Sequence, residues 1–161
     1  MLRLAFRLVA PLALIASGTA ALSPAHASEC KQVRGHLEET LVGAPCASPV
    51  GLCTVAQMFG AIQGEALFTA SAIIASATPD VVFVTGDTVI VDAKLAGHRG
   101  TLTVQNAAAF RAGGEGDLAD VQTVTGGTGD FEGATGSLRI SGNFIIPTGG
   151  SSTYEGVVCL P

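Results

Sequence analysis

A glycine-rich stretch at residues 125–138, TGGTGDFEGATGSL, constrains the fold of this chain more than any other segment. Its structural glycines are Gly126, Gly127, Gly129, Gly133 and Gly136. Because glycine readily adopts positive φ, the backbone is predicted to turn sharply here, at several points. The stretch leads into an alternating segment at residues 137–146 and not into a helix. It is therefore predicted to be a tight corner between strands, with Phe131 as a plug.

A phosphate-binding loop is the alternative interpretation of these glycines. Such a loop aims backbone amides at an anion from a helix N-terminus, commonly with a lysine. The nearest downstream basic residue is Arg139, within a predicted strand, and Asp130 and Glu132 would repel a phosphate. The pattern favours the structural corner.

Apolar and polar residues alternate with a period of two along most of the chain. This pattern predicts strands at residues 33–41, 62–74, 81–91, 101–107, 118–124, 137–146 and 154–159. Only residues 56–59 and 107–111 are compatible with a short helix. Seven or eight strands joined by short glycine-containing loops indicate an all-β antiparallel meander. Closure into a barrel would remove its unpaired edges.

The amino terminus has the pattern of a secretory signal peptide, residues 1–27. Arg3 and Arg7 precede an apolar run at residues 8–22, and Ala25-His26-Ala27 supplies the small residues of a cleavage site. A membrane anchor is the alternative, but a spanning helix needs roughly 20 apolar residues and this run is shorter. We expect a secreted or periplasmic protein.

The remaining residues, 28–161, are predicted to form one domain. The full chain carries a net charge of −5, and removal of Arg3 and Arg7 makes the domain more acidic still. An acidic domain repels phosphate backbones and anionic lipid. Nucleic acid and, after signal cleavage, membrane are therefore disfavoured as partners.

Four cysteines, an even number, indicate two disulfides in an exported chain. Three pairings are possible. We favour Cys46 with Cys53, which enclose a compact turn-rich segment, and this leaves Cys30 with Cys159. The second bond would join the first strand to the last, which closure makes neighbours. A zinc site is disfavoured because no Cys-x-x-Cys pair is present.

The motif GGTGDFEGATG at residues 126–136 resembles the Gly-Gly-Thr-Gly-x-aromatic-x-x-Ala-x-Gly stretch of dirigent and allene oxide cyclase-like proteins. Residues 138–144 and Tyr154-Glu155-Gly156 are similar to the same group. The resemblance implies an eight-stranded, calycin-like β-barrel whose interior can hold a small apolar molecule. Some relatives are cyclases and others steer radical coupling. The shared motif is a structural corner, so no catalytic residue is carried over.

Four polar residues are candidates for ligand binding. Glu39 shares a face with Val33 and Leu37, which would point it into a barrel, unless it lies beyond the strand end in water. His98 and Arg99 occupy a turn that would form a barrel mouth, or a solvated turn. Tyr154 is the only tyrosine and would either donate a hydrogen bond to a ligand or pack in the core.

No catalytic constellation is present in the sequence. A Gly-x-Ser-x-Gly elbow is absent, and the cysteines are expected to be oxidised. We predict no cofactor and no metal. The leading hypothesis is a non-catalytic module that binds a small apolar molecule inside the barrel. The alternatives are a cyclase or isomerase that uses an interior carboxylate, and a structural secreted homo-oligomer.

Overall fold

The computed structural model describes residues 29–113 and 115–161, and these form a closed barrel of eight antiparallel strands. The strands are β1 (Glu29–Leu41), β2 (Cys53–Gly60), β3 (Ile62–Ala75), β4 (Val81–Leu95), β5 (His98–Arg111), β6 (Asp117–Gly129), β7 (Thr135–Asn143) and β8 (Gly150–Leu160). Each strand pairs with the next one along the chain, and β8 pairs with β1. The prediction of an all-β, eight-stranded antiparallel barrel is confirmed.

The up-and-down order gives the barrel two different ends. The closed end carries the β2–β3, β4–β5 and β6–β7 connections. The open end carries the β1–β2, β3–β4, β5–β6 and β7–β8 connections. These two names are used below.

Both segments that the sequence left open to a short helix are strand. Residues 56–59 lie in β2 and residues 107–111 in β5. In β2, Ala56 and Met58 are buried while Gln57 and Phe59 are exposed. Alanine and methionine favour helices, but β2 is held by ladders to β1 and β3 on both sides. Tertiary pairing overrides the local preference here.

The glycine-rich stretch is a strand end followed by a corner, as predicted. Its first part continues β6 to Gly129, five residues further than the alternation indicated. Gly127 pairs so closely with β5 that a Cβ there would overlap the Thr101 carbonyl oxygen. Gly129 and Gly133 have φ of 64° and 79°, the left-handed region that favours glycine. The chain then turns at residues 130–134 and enters β7.

Phe131 fills the closed end of the barrel, where it is fully buried. It belongs to a cluster with Leu102, Leu138 and Val158, which are fully buried as well. Tyr154 is buried in the same cluster. The half of the barrel nearest the closed end is therefore packed solid.

Strand β7 ends three residues earlier than the sequence indicated. The predicted strand reached Ile146, whereas the ladder with β8 ends near Gly142. The reason is that the Phe144 amide donates to the Gly116 carbonyl oxygen at 2.8 Å, outside the β7–β8 pairing. The following residues form the β7–β8 loop at the open end.

Two disulfides are present, with the predicted pairing. Cys30 and Cys159 are directly opposed on β1 and β8. Cys46 and Cys53 close the β1–β2 loop at the open end. Disulfides are typical of oxidising compartments. The predicted signal peptide, residues 1–27, lies outside the described residues. Within residues 29–113 and 115–161, no helix is long and apolar enough to cross a membrane.

We predict that Phe131→Ala destabilises the barrel by about 3–5 kcal/mol, because it leaves a cavity in a core that is otherwise filled. Phe83→Ala is the matched control, since Phe83 is 47% exposed on the outer wall at the other end. It should cost about 1 kcal/mol or less. Urea unfolding monitored by circular dichroism measures the free energy of unfolding of both variants. Equal decreases would contradict the role of Phe131 in filling the closed end.

We also predict that the two disulfides differ in their contribution to stability. The Cys30–Cys159 bond spans 129 residues and the Cys46–Cys53 bond spans 7. On the chain-entropy model, these loops correspond to about 5 and about 2 kcal/mol. Unfolding of the Cys30→Ser/Cys159→Ser and Cys46→Ser/Cys53→Ser variants should reproduce this order, and the reverse order would refute it.

Candidate functional site

The open end of the barrel leads into a cavity of about 90 Å³, which we call the cup. Its lower wall and floor, toward the closed end, are apolar and include Leu37, Ala56, Met58, Ile90 and Ile140. Its upper wall, toward the open end, is also apolar and includes Phe68, Val84, Phe110, Leu118, Phe144 and Ile146. Strand alternation explains the lining, because every second residue of each strand faces inward. The cup is the empty half of a barrel whose other half is filled.

A polar layer, formed by Asp120, Asn106, Gln122 and Thr88, interrupts this apolar wall. Asp120 accepts hydrogen bonds from the side-chain amides of Asn106 and Gln122, each at 2.9 Å. It also accepts one from the Ala107 amide at 3.1 Å. The Thr88 hydroxyl donates to the Asn106 carbonyl oxygen at 2.9 Å. The layer thus runs across β4, β5 and β6, and its hydrogen bonds converge on one carboxyl group.

A second carboxyl group, Glu39, lines the cup from β1. It accepts a hydrogen bond from the hydroxyl of Thr54 on β2. Gly149 lies so close that a Cβ there would overlap the Glu39 carbonyl oxygen, so the β7–β8 loop is pressed against this strand. Glu39 therefore lies on the wall of the cup, two residues before the end of β1 and against the β7–β8 loop.

Burial shapes the electrostatics of both carboxyl groups. Loss of water raises the pKa of Glu39 above its ordinary 4.5; the Thr54 hydrogen bond opposes this, and the charge of Asp120 adds to it. Loss of water likewise raises the pKa of Asp120, against the hydrogen bonds from Gln122, Asn106 and the backbone. None of the described residues that line the cup is basic. The two acids therefore face an apolar space without a compensating cation.

The four predicted ligand-binding residues lie in different parts of the barrel. Glu39 lies within β1 and lines the cup, so it is not beyond the strand end. His98 and Arg99 begin β5 at the closed end, away from the cup. The Tyr154 hydroxyl accepts from the Ile62 amide at 2.8 Å and lies 2.9 Å from the Ile62 carbonyl oxygen. Tyr154 thus secures the β2–β3 turn inside the core. Of the four, only Glu39 reaches the cup.

The sequence did not single out the polar layer. In residues 118–124, the inward set contains Leu118 and Asp120, while the outward set contains Val121. Both faces of β6 thus mix apolar and polar residues, so the alternation did not define which face is inside. The only available signal was register: Asp120 is directly opposed to Ala108, and both line the cup.

The fold and the cup define a small closed β-barrel protein with an interior cavity. Residues 31–155, most of the chain, match the family described as Protein of unknown function (DUF3224), and the chain belongs to this family. No curated protein and no solved structure matches the sequence.

We predict that Glu39→Gln stabilises the protein increasingly as pH rises. A carboxyl whose pKa is higher in the folded than in the unfolded state favours folding below its unfolded value, near 4.5, and loses that contribution as pH rises through the folded value. Each unit of difference between the folded and unfolded pKa values changes the free energy of unfolding by about 1.4 kcal/mol. The glutamine side chain of the variant does not ionise, so the variant does not lose this stability as pH rises.

Urea unfolding from pH 4 to pH 8 measures the difference between the Glu39→Gln variant and the unsubstituted protein. The matched control is Glu65→Gln, because Glu65 is exposed on the outer wall. Its effect should stay within about 0.5 kcal/mol at every pH. A Glu39→Gln difference that shrinks with rising pH would contradict the prediction.

Proposed function

We propose that this protein binds a small, largely apolar molecule in the cup. The single observation that carries the proposal is an open, apolar cavity with a few convergent polar groups at mid-depth, which is the usual form of a ligand site. Eight-stranded barrels are just wide enough to hold one small ligand where side chains do not fill them. Here the residues at the closed end fill one half and leave the other half free.

The size of the cup limits what enters it. About 90 Å³ is roughly three times the volume of one water molecule in the liquid. The cup therefore takes a compact group, or the end of a longer molecule whose remainder extends through the mouth. The mouth is suited to an apolar remainder, because Ile73 and Ile146 are about half exposed there.

The proposal includes a family relationship and a location. The GGTGDFEGATG motif together with the closed eight-stranded barrel supports placement beside the allene oxide cyclase-like and dirigent-like proteins, in the calycin-like group. The two disulfides and the sequence pattern of residues 1–27 support export, to the periplasm or the medium.

A second candidate function is a cyclase or isomerase, and the interior carboxyls favour it. Glu39 and Asp120 face an apolar cavity, and burial raises the pKa of each, a combination found where carboxyl groups transfer protons. Mass spectrometry of a molecule recovered from the cup separates the two functions. An enzyme converts that molecule on renewed incubation, whereas a binding protein returns it unchanged.

Met58 offers a direct test of binding, since it is the only methionine besides Met1 and it lines the cup. We predict that benzene, used as a neutral apolar probe, shifts the Met58 ¹³C-methyl resonance saturably. Ala108→Phe should weaken this response by about tenfold or more, because the ring occupies the cup, and this loss equals about 1.4 kcal/mol.

The matched control places the same ring outside the wall. Ala119 is exposed on β6, so Ala119→Phe should leave the benzene titration unchanged. Failure of benzene and of every other small probe to shift Met58 would overturn the proposed function. An equal response in the two phenylalanine variants would place the binding elsewhere.

A further inference from the structure

The ionisable groups of the cup are all acidic, and no basic residue in the described part of the chain lines it. Glu39 and Asp120 are the ionisable residues that line it, and both are acids. They come from opposite parts of the sheet, β1 and β6, so they face the space between them from two walls. A ligand group that carries a positive charge would interact favourably with both, whereas an anion would be repelled by both.

The hydrogen-bonding groups of the cup also favour a ligand that donates hydrogen bonds. The hydroxyl donors of the cup are already engaged: Thr88 donates to Asn106, and Thr54 donates to Glu39. The side-chain amides of Asn106 and Gln122 each donate one N–H to Asp120 and keep a second. A carboxylate has about four acceptor positions, and Glu39 uses one of them. The free acceptor positions of the two carboxylates therefore outnumber the two amide N–H groups that remain, which favours a ligand group rich in donors.

The order of polar and apolar surfaces along the cup sets the orientation of a ligand. The polar layer lies below Phe110 and Leu118, which are nearer the open end on the same strands. Apolar residues then continue to the rim, where Ile146 is half exposed. A polar group thus reaches Asp120 only at depth, and the rest of the molecule meets apolar wall on the way out.

We propose that the cup binds a slender apolar amine, which enters with its ammonium group first and places that group between Glu39 and Asp120. This proposal rests on the proposed function and names its ligand class. An ammonium group brings three donors and one positive charge. Burial of an unpaired charge is costly, and the pairing with two carboxylates offsets that cost. The carbon chain occupies the apolar upper wall and leaves through the mouth.

Three probes of equal chain length test the proposal on the disulfide-bonded protein: hexylamine, 1-hexanol and hexanoate. The Met58 ¹³C-methyl resonance is followed at pH 7. We expect hexylamine to bind at least tenfold more tightly than hexanol, and hexanoate not to shift the resonance. Lowering the pH to 4 should weaken hexylamine binding at least tenfold, since protonation of the carboxyls removes the charge that attracts the ammonium group, and should leave hexanol unchanged.

Two isosteric variants assign the effect to the carboxyls. Glu39→Gln and Asp120→Asn should each lower hexylamine affinity about tenfold and keep hexanol affinity within twofold. Glu65→Gln, on the outer wall, should change neither. The Met58 resonance itself reports whether each variant is folded.

The possible results separate the ligand class from the proposed function. The amine proposal is overturned if hexanol or hexanoate binds as tightly as hexylamine, or if Glu39→Gln retains the full preference for the amine. In either case the cup still binds a small apolar molecule. If none of these probes and no benzene shifts Met58, both proposals fall together.

Discussion

The pairing of β1 with β8 is the constraint on which the rest of the structure depends. The ladder runs without interruption from Glu29 opposite Leu160 to Glu39 opposite Gly150. It converts a meander with two free edges into a closed wall, and closure is the arrangement that leaves no unpaired edge. It also gives the sheet an inside. Without it, the inward face of β1 would be solvated, and the Glu39 carboxyl would keep its water.

The barrel combines a solid half with a hollow half, and each depends on the other. At the closed end, Phe131 and Tyr154 occupy the interior, and the Tyr154 hydroxyl meets the polar backbone of Ile62. This filled half supplies the burial that small domains need for stability. The upper half can then remain open and can hold the polar layer around Asp120, which adds little packing of its own.

Much of the wall was predictable from local sequence, while the contents of the cup were not. Alternation and turn residues located seven of the strands, and the glycine-rich corner followed from the conformations that only glycine adopts easily. Cysteine spacing favoured the observed disulfides. Strand β2 was missed because Ala56 and Met58 carry weak strand preference and gain their conformation from two neighbouring ladders. Asp120 was missed because both faces of β6 mix polar and apolar residues, and only the closed register decides which face is buried.

The same register restricts how the family can change in length. Removal of one residue before Asp120 within β6 would turn Val121 toward the cup and Asp120 toward solvent, together with every following side chain of that strand. A wall closed on itself has no free edge that could absorb such a slip. Insertions and deletions are therefore expected to accumulate in the connections at the open end, or within a strand only where a bulge, such as the one between Thr103 and Val104, restores the phase. Loop variation around the mouth would then change the shape of the rim while the barrel stays constant.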